Sequence, residues 1–81
     1  MKYVCIRNGC LDEIVMFADF IAHDDMAGSL KSRGHPISAG FVREDGEGEY
    51  ECAGCSESLG LESRERDTDL LRMAMKNPVC L

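Results

Sequence analysis

The segment ISAGFVREDGEGEYECAGCS, residues 37–56, decides the fold of this chain. Its middle, residues 45–48, combines acidic side chains with glycine and is typical of a turn. The residues before and after that turn, 37–44 and 49–56, have the composition and alternation of β-strands. The sequence therefore predicts an antiparallel hairpin around a four-residue loop.

A four-residue loop determines which residues of this hairpin lie opposite one another. It places Glu44 opposite Glu49 and Phe41 opposite Cys52, and directly opposed residues share a face. One predicted face is mostly apolar: Ile37, Ala39, Phe41, Tyr50, Cys52 and Gly54. The other is mostly polar: Ser38, Gly40, Val42, Glu44, Glu49, Glu51, Ala53 and Cys55. This alternation predicts a sheet with one packed side.

A second hairpin is predicted near the start of the chain. Residues 3–6 are β-branched or aromatic and run into Asn8-Gly9, a strong turn signal. The returning strand is centred on residues 14–17. The acidic pair Asp12-Glu13 lies between the turn and that strand, and it favours a looser connection than a two-residue turn.

Two helices are predicted to complete the fold. The first starts at His23, since Asp24 and Asp25 suit a first helical turn, and the stretch Ser32-Arg33-Gly34-His35-Pro36 ends it. The second is capped by Ser63 or Asp67. Its predicted apolar stripe consists of Leu70, Leu71, Ala74 and Met75, and its predicted end is Asn77-Pro78.

A chain of 81 residues has the size of one small domain. Residues 1–81 are therefore predicted to form a single α+β domain. Two hairpins make a four-stranded antiparallel sheet, and a short middle helix and a C-terminal helix pack on one face. Because the chain has no Trp and few other aromatic residues, its core is predicted to be thin. A metal, a partner or a second copy would add stability.

The charge balance limits the partners that the chain can have. Nine Lys and Arg against fifteen Asp and Glu give a net charge of −6, which repels a phosphate backbone and disfavours direct nucleic-acid binding. An acidic surface can bind a basic patch on another protein, including one that normally holds nucleic acid. The alternative is that the charge serves solubility alone.

The predicted hairpin carries the densest group of these acids: Glu44, Asp45, Glu47, Glu49 and Glu51. Like charges opposed across paired strands cost stability, so an acidic face without a folding benefit is compatible with binding a basic partner. Charged turns also occur for solubility. Both interpretations stay open, and these five residues are the predicted partner-binding site.

The first residues do not predict a signal peptide, because Arg7 and Asn8 interrupt their apolar stretch. No apolar run is long enough to span a membrane. The sequence therefore predicts a cytosolic protein without membrane contact, either a monomer or a homodimer. In that compartment its five cysteines are thiols or metal ligands rather than disulfides.

The pair Cys52-x-x-Cys55 could be half of a zinc site, with Cys5 and Cys10 as the other half. However, residues three apart on a strand point to opposite faces, so Cys52 and Cys55 cannot both bind one ion from a regular strand. The favoured interpretation is no cofactor, with Cys52 as a small buried residue, and zinc is the alternative. A redox pair is disfavoured because a loop, not a helix, follows Cys55.

Other polar groups also have structural explanations that are simpler than catalysis. His23-Asp24-Asp25 is explained by a helix start and His35 by a loop before proline. Arg64-Glu65-Arg66-Asp67 is either a partner-facing patch or a solvated helix start, and we favour the second. Since no phosphate-binding glycine loop or nucleophile motif is present, we expect no enzymatic activity.

Several short pieces of sequence resemble small proteins of unknown function encoded by bacteriophages and prophages. These pieces are Ser38-Ala39-Gly40-Phe41-Val42, Cys52-Ala53-Gly54 with Ser56, Ser58-Leu59-Gly60, Ser63-Arg64 and Asp67. The resemblance covers roughly residues 2–72. Cys5 and Cys10 are not part of it, and Cys55 is often another polar residue there, which disfavours zinc.

The resemblance implies a non-enzymatic accessory protein of the host cytoplasm that binds and inhibits a host protein. Anti-defence proteins such as anti-CRISPR inhibitors are the class that it suggests, with a nucleic-acid-binding defence effector as the partner. The acidic residues of the hairpin are the expected contact surface. Two alternatives are a zinc-stabilised interaction module and a homodimer that binds a small molecule.

Overall fold

Six strands and two helices make up residues 1–76, the part of the chain that the computed structural model describes. In chain order they are β1 (Lys2–Asn8), β2 (Leu11–Phe17), α1 (His23–Ser29), β3 (His35–Glu44), β4 (Tyr50–Ala53), β5 (Cys55–Ser56), β6 (Leu61–Glu62) and α2 (Glu65–Lys76). The predicted α+β fold, with its four-stranded antiparallel sheet and two helices, is confirmed.

The main sheet has the spatial order β2-β1-β3-β4. Both predicted hairpins are present, and β1 pairs with β3 in antiparallel fashion between them. β1 and β3 are therefore the central strands, and β2 and β4 are the edges. Central pairing on both sides agrees with the continuous burial of Tyr3, Val4, Cys5 and Ile6 in β1.

The two helices lie on opposite faces of this sheet, so the prediction of a single packed face is wrong. Val4 and Leu30, the residue after α1, belong to one apolar cluster with Ala39 of β3. Tyr3, which alternates with Val4 along β1, instead donates a hydrogen bond to Asp67 of α2. Since alternate residues of a strand point to opposite faces, α1 and α2 cover different sides.

The first hairpin is tighter than predicted. Asn8 pairs with Leu11, so only Gly9 and Cys10 form the turn, and Gly9 has the positive φ of 65° that such turns require. The predicted looser connection is wrong because Asp12 is compatible with a strand here. Arg7 lies directly opposite and binds both of its carboxylate oxygens, at 2.7 and 3.1 Å.

The second hairpin has a five-residue loop, one residue longer than predicted, because Glu44 pairs with Tyr50. The Asp45 side chain explains the extra residue. Its Oδ1 accepts hydrogen bonds from the backbone N–H groups of Glu47 and Glu49, at 2.8 and 3.1 Å, and so closes the longer loop.

This one-residue difference corrects the predicted faces of the hairpin. Cys52 lies opposite Val42 rather than Phe41, and Phe41 lies opposite Ala53. Cys52 therefore lies on the α2 face, where its backbone N–H donates to Thr68 Oγ1 at 3.0 Å. The predicted pair Glu44–Glu49 does not exist, since Glu49 lies in the loop.

The predicted strand 49–56 is interrupted at Gly54, which has a φ of 81°. β5 continues beyond it but pairs with β6 to form a separate two-stranded sheet. Leu59 and Leu61 from this small sheet and its turn pack against the apolar cluster on the α1 face. That face is therefore covered by α1 together with β5 and β6.

Both helices begin close to where the sequence places them. α1 starts at His23 with Asp24 and Asp25 in its first turn, as predicted. α2 starts at Glu65, so Asp67 is its third residue rather than its cap, and Asp67 Oδ2 accepts the Arg64 N–H at 3.0 Å. Of the predicted stripe, Leu71 is fully buried. The predicted end at Asn77-Pro78 lies outside the described residues.

In that stripe Ala74 and Met75 are exposed. The last turn of α2 therefore extends past the surface that the first turns cover. Within residues 1–76, part of the α2 face of the sheet near the second hairpin therefore has no helix over it.

Candidate functional site

The five predicted partner-binding acids lie together around the β3–β4 loop, and we call this surface the acidic hairpin. Its members are Glu44, Asp45, Glu47, Glu49 and Glu51. Two guanidinium groups contact it. Arg43 binds Glu51 at 2.7 Å, and Arg72 of α2 lies 3.6 Å from Asp45 and 3.8 Å from Glu49. Three negative charges remain in excess.

Glu44 and Glu47 are the two carboxylates of the acidic hairpin without an ion pair to any residue in 1–76. Both are exposed to solvent. The expected repulsion between opposed acids is absent here, because Glu51 lies opposite Arg43 and Glu44 opposite Tyr50. The acidic hairpin can therefore present uncompensated carboxylates without a large cost in the free energy of folding.

An apolar cleft of about 350 Å³ adjoins the acidic hairpin. It is lined by Met1, Met16, Val42, Tyr50 and Met75, and we call it the Met cleft. Four of these five side chains are exposed large hydrophobic groups. The sequence did not reveal this cleft, because its residues come from different strands and from the end of α2.

A second cleft, of about 500 Å³, lies on the α1 face beside His23. The imidazole is buried between Phe17 and Phe41, whose ring planes are nearly perpendicular to it and whose ring centroids are 5.4 and 5.5 Å away. Its Nε2 lies 2.8 Å from the Gly40 carbonyl oxygen, which can only accept, so Nε2 carries the proton. His23 thus attaches the start of α1 to β3.

The interior of the α2 face holds a polar network centred on Asp67, whose side chain is fully buried. Asp67 accepts hydrogen bonds from the Tyr3 hydroxyl at 2.7 Å and from Arg64 Nε and Nη2 at 3.0 and 2.8 Å. Arg64 Nη2 also lies 3.5 Å from Cys5 Sγ. For residues 64–67 the interpretation favoured from the sequence is a solvent-exposed helix start. That interpretation is wrong for Arg64 and Asp67.

This network extends to the first hairpin through Asp12. Its carboxylate is held by Arg7 and lies 3.5 Å from Arg64 Nη2. Hydrogen bonding to Arg7, followed by the charges of Arg7 and Arg64, lowers the pKa of Asp12 to about 2. The arrangement ties α2 to β1 and β2.

Burial and hydrogen bonding oppose each other at Asp67. Burial disfavours its charged form, but the neighbouring Ser38 hydroxyl and the hydrogen bonds from the Arg64 backbone N–H, Tyr3 and the Arg64 side chain outweigh this and lower its pKa. The Ser38 hydroxyl itself is buried and forms no hydrogen bond within residues 1–76. Asp67 is therefore a charged structural group.

The four cysteines of the zinc alternative are free thiols in different surroundings: Cys5 is buried, Cys52 is half-buried, and Cys10 and Cys55 are exposed. Within residues 1–76 no three His, Cys, Asp or Glu side chains form a group that could hold a metal ion. Cys5 and Cys52 lie on the α2 face, whereas Cys55 lines the His23 cleft on the α1 face. The zinc alternative gains no support from this arrangement.

Alkylation should distinguish these thiols. Burial, then the charge of Asp67, raises the pKa of Cys5, and the same two effects raise that of Cys52 to about 11. At neutral pH we expect iodoacetamide to modify Cys10 and Cys55 at least about tenfold faster than Cys5 and Cys52, since the thiolate is the nucleophile. Peptide mass spectrometry measures each rate. Equal rates in the native protein would contradict the structure, and equal rates in urea are the control.

In residues 1–76 neither helix has the length and apolar character needed to cross a membrane. Comparisons of the chain with protein-family models, with curated proteins and with solved structures give no match.

Proposed function

We propose that this is a non-enzymatic phage or prophage accessory protein that binds a positively charged surface of a host protein through the acidic hairpin. A nucleic-acid-binding defence effector, such as a CRISPR complex in the host cytoplasm, is the partner class. One observation carries the proposal: five carboxylates lie within residues 44–51, and within residues 1–76 only two guanidinium groups contact them.

The local structure of the acidic hairpin supports this proposal. Asp45 fixes the loop by accepting two backbone hydrogen bonds, and its own N–H donates to the Glu49 carbonyl at 2.7 Å. A fixed loop loses little conformational entropy on binding. Exposed carboxylates in a fixed arrangement attract lysine and arginine side chains that otherwise contact phosphates, and this speeds association with a basic surface.

Binding to purified CRISPR effector complexes, measured by surface plasmon resonance, tests this function. We expect the double variant Glu44→Gln/Glu47→Gln to bind about tenfold more weakly, because two uncompensated charges are lost at the contact. Wild-type binding should weaken strongly between about 50 and about 200 mM salt, and the variant should depend less on salt. Neither substitution breaks an ion pair within residues 1–76.

The matched control is Asp25→Asn/Glu62→Gln, which removes the same charge from exposed positions on α1 and β6. If it weakens binding as much as the hairpin variant does, net charge and not the acidic hairpin is responsible. Binding that is indifferent to salt would also refute the proposed mechanism.

A further inference from the structure

The Met cleft lies at the point where four parts of the fold meet beside the acidic hairpin. Met16 of β2, Val42 of β3 and Tyr50 of β4 are on the α2 face of the sheet, and Met75 from the last described turn of α2 borders them. Met1 completes the lining, held in place by the hydrogen bond from the Val42 N–H to its carbonyl at 2.7 Å.

These side chains form a continuous apolar surface rather than scattered exposed residues. The exposed fractions are 43% for Met16, 38% for Tyr50 and 43% for Met75, although all three line one cleft. Contiguous exposed apolar surface with a polar rim is typical of an interaction site. The acidic hairpin lies on one side of the Met cleft, since Tyr50 of the cleft pairs directly with Glu44 of the hairpin.

We propose that the Met cleft receives one bulky apolar side chain, such as Phe or Leu, from a basic segment of the partner that the acidic hairpin attracts. This inference rests on the proposed function and specifies the chemistry of the partner. A volume of about 350 Å³ is large enough to admit a bulky apolar side chain. The neighbouring carboxylates favour a segment in which lysine or arginine residues flank that side chain.

Of the cations near the junction of the two surfaces, Arg72 and the Met1 ammonium are paired with carboxylates, and Lys76 lines a neighbouring cleft with Glu49, Tyr50 and Met75. Arg72 is held between Asp45 and Glu49, and its Nε donates to the Tyr50 carbonyl at 2.9 Å. Its charge is therefore compensated within the protein. The carboxylates of Glu44 and Glu47 stay available to the segment.

The composition of the cleft suits this role. Methionine side chains are flexible and polarisable, so they adapt to different apolar groups, and an aromatic residue such as Tyr50 is typical of interface hot spots. The two surfaces then act differently: the acidic hairpin speeds association, whereas the Met cleft slows dissociation.

Two synthetic peptides of equal length and equal lysine content test the inference. The first contains only Lys and Ser, and the second carries one central Phe in place of Ser. We expect the Phe peptide to bind about tenfold more tightly by fluorescence anisotropy. Met16→Gln/Met75→Gln should remove that advantage and leave the affinity for the Lys-Ser peptide unchanged. The control Met73→Gln, 63% exposed on α2 but outside the cleft, should keep it.

Methyl NMR of methionine-labelled protein locates the bound Phe. The methyl signals of Met1, Met16 and Met75 should shift on addition of the Phe peptide, whereas that of Met73 should not. If the two peptides bind equally, or if neither binds, the anchoring role is wrong, and the effector-binding test with Glu44→Gln/Glu47→Gln decides the proposed function separately. If the cleft signals shift with protein concentration alone, a second copy covers the cleft and the inference also fails.

Discussion

The Asp67→Asn variant is expected to lose about 3 kcal/mol of unfolding free energy, measured by urea denaturation at neutral pH. Removing one partner of a buried ion pair typically costs about 3–5 kcal/mol, because the other charge stays buried without compensation. Here the remaining charge is Arg64, whose Nε and Nη2 lie 3.0 and 2.8 Å from Asp67 Oδ1. Because Arg64 is 28% exposed and also lies 3.5 Å from Asp12, the expected loss is at the lower end of that range. A domain of this size has about 5 kcal/mol in total, so most of its stability depends on this carboxylate.

Asparagine makes the substitution informative because it keeps the volume of aspartate. Its amide nitrogen is a donor, yet three of the groups that face Asp67 are donors too: the Tyr3 hydroxyl and the backbone and side-chain N–H groups of Arg64. One donor must therefore lose its acceptor in a buried site. The expected loss of unfolding free energy therefore comes from hydrogen bonding and charge and not from a cavity.

The neighbouring Asp69 provides the control, since it is an exposed aspartate on the same helix. Asp69→Asn should change the unfolding free energy by less than about 0.5 kcal/mol. Equal effects of the two substitutions would show that the network around Asp67 does not stabilise the fold. The same outcome would mean that the hydrogen bond between Asp67 of α2 and Tyr3 of β1 does not hold these two elements together.

The Asp67 network illustrates which features the sequence could predict. Both hairpins and both helix starts depend on local patterns, such as Asn8-Gly9 or the acids after His23, and were predicted. The sequence could not predict that Tyr3 binds Asp67, because the two residues are 64 positions apart and meet only when α2 packs on β1. The sequence signal for Asp67 itself, an acid near a helix start, pointed to a cap.

The register of the second hairpin was missed for a different reason. The composition of residues 45–48 located the turn, but the loop length depends on two hydrogen bonds to the Asp45 side chain. The five acids of the acidic hairpin lie within residues 44–51, so the sequence alone placed them near one another. The Met cleft could not be predicted from the sequence, because Met16, Val42 and Tyr50 become neighbours only through the strand order β2-β1-β3-β4.

The unfolding free energy is also expected to fall steeply at both extremes of pH. On the acid side, the folded protein holds the pKa values of Asp67 and Asp12 below the ordinary value of about 3.9. A carboxyl group with a lowered pKa stabilises the fold above its unfolded pKa, and this stabilisation is lost as pH falls toward the folded value. Stability should therefore decline below about pH 4 and continue to decline toward pH 2.

On the alkaline side, burial, then the hydrogen bond to the Asp67 carboxylate, raises the pKa of Tyr3 above the ordinary value of about 10. Above that pH the unfolded chain releases the phenol proton and the folded protein keeps it, so unfolding becomes more favourable by about 1.4 kcal/mol per pH unit. Cys52, with its pKa raised to about 11, acts in the same direction between about pH 9 and pH 11.

Urea denaturation from about pH 3 to about pH 11.5 measures both declines, and Tyr3→Phe identifies the alkaline one. The variant lacks the phenol proton, so its stability above pH 10 should fall with a slope smaller by about one proton per molecule. Its stability at neutral pH should also be lower, because Asp67 loses a donor. If the slope above pH 10 is the same in both proteins, Tyr3 titrates in the folded state and the buried hydrogen bond to Asp67 does not hold its proton.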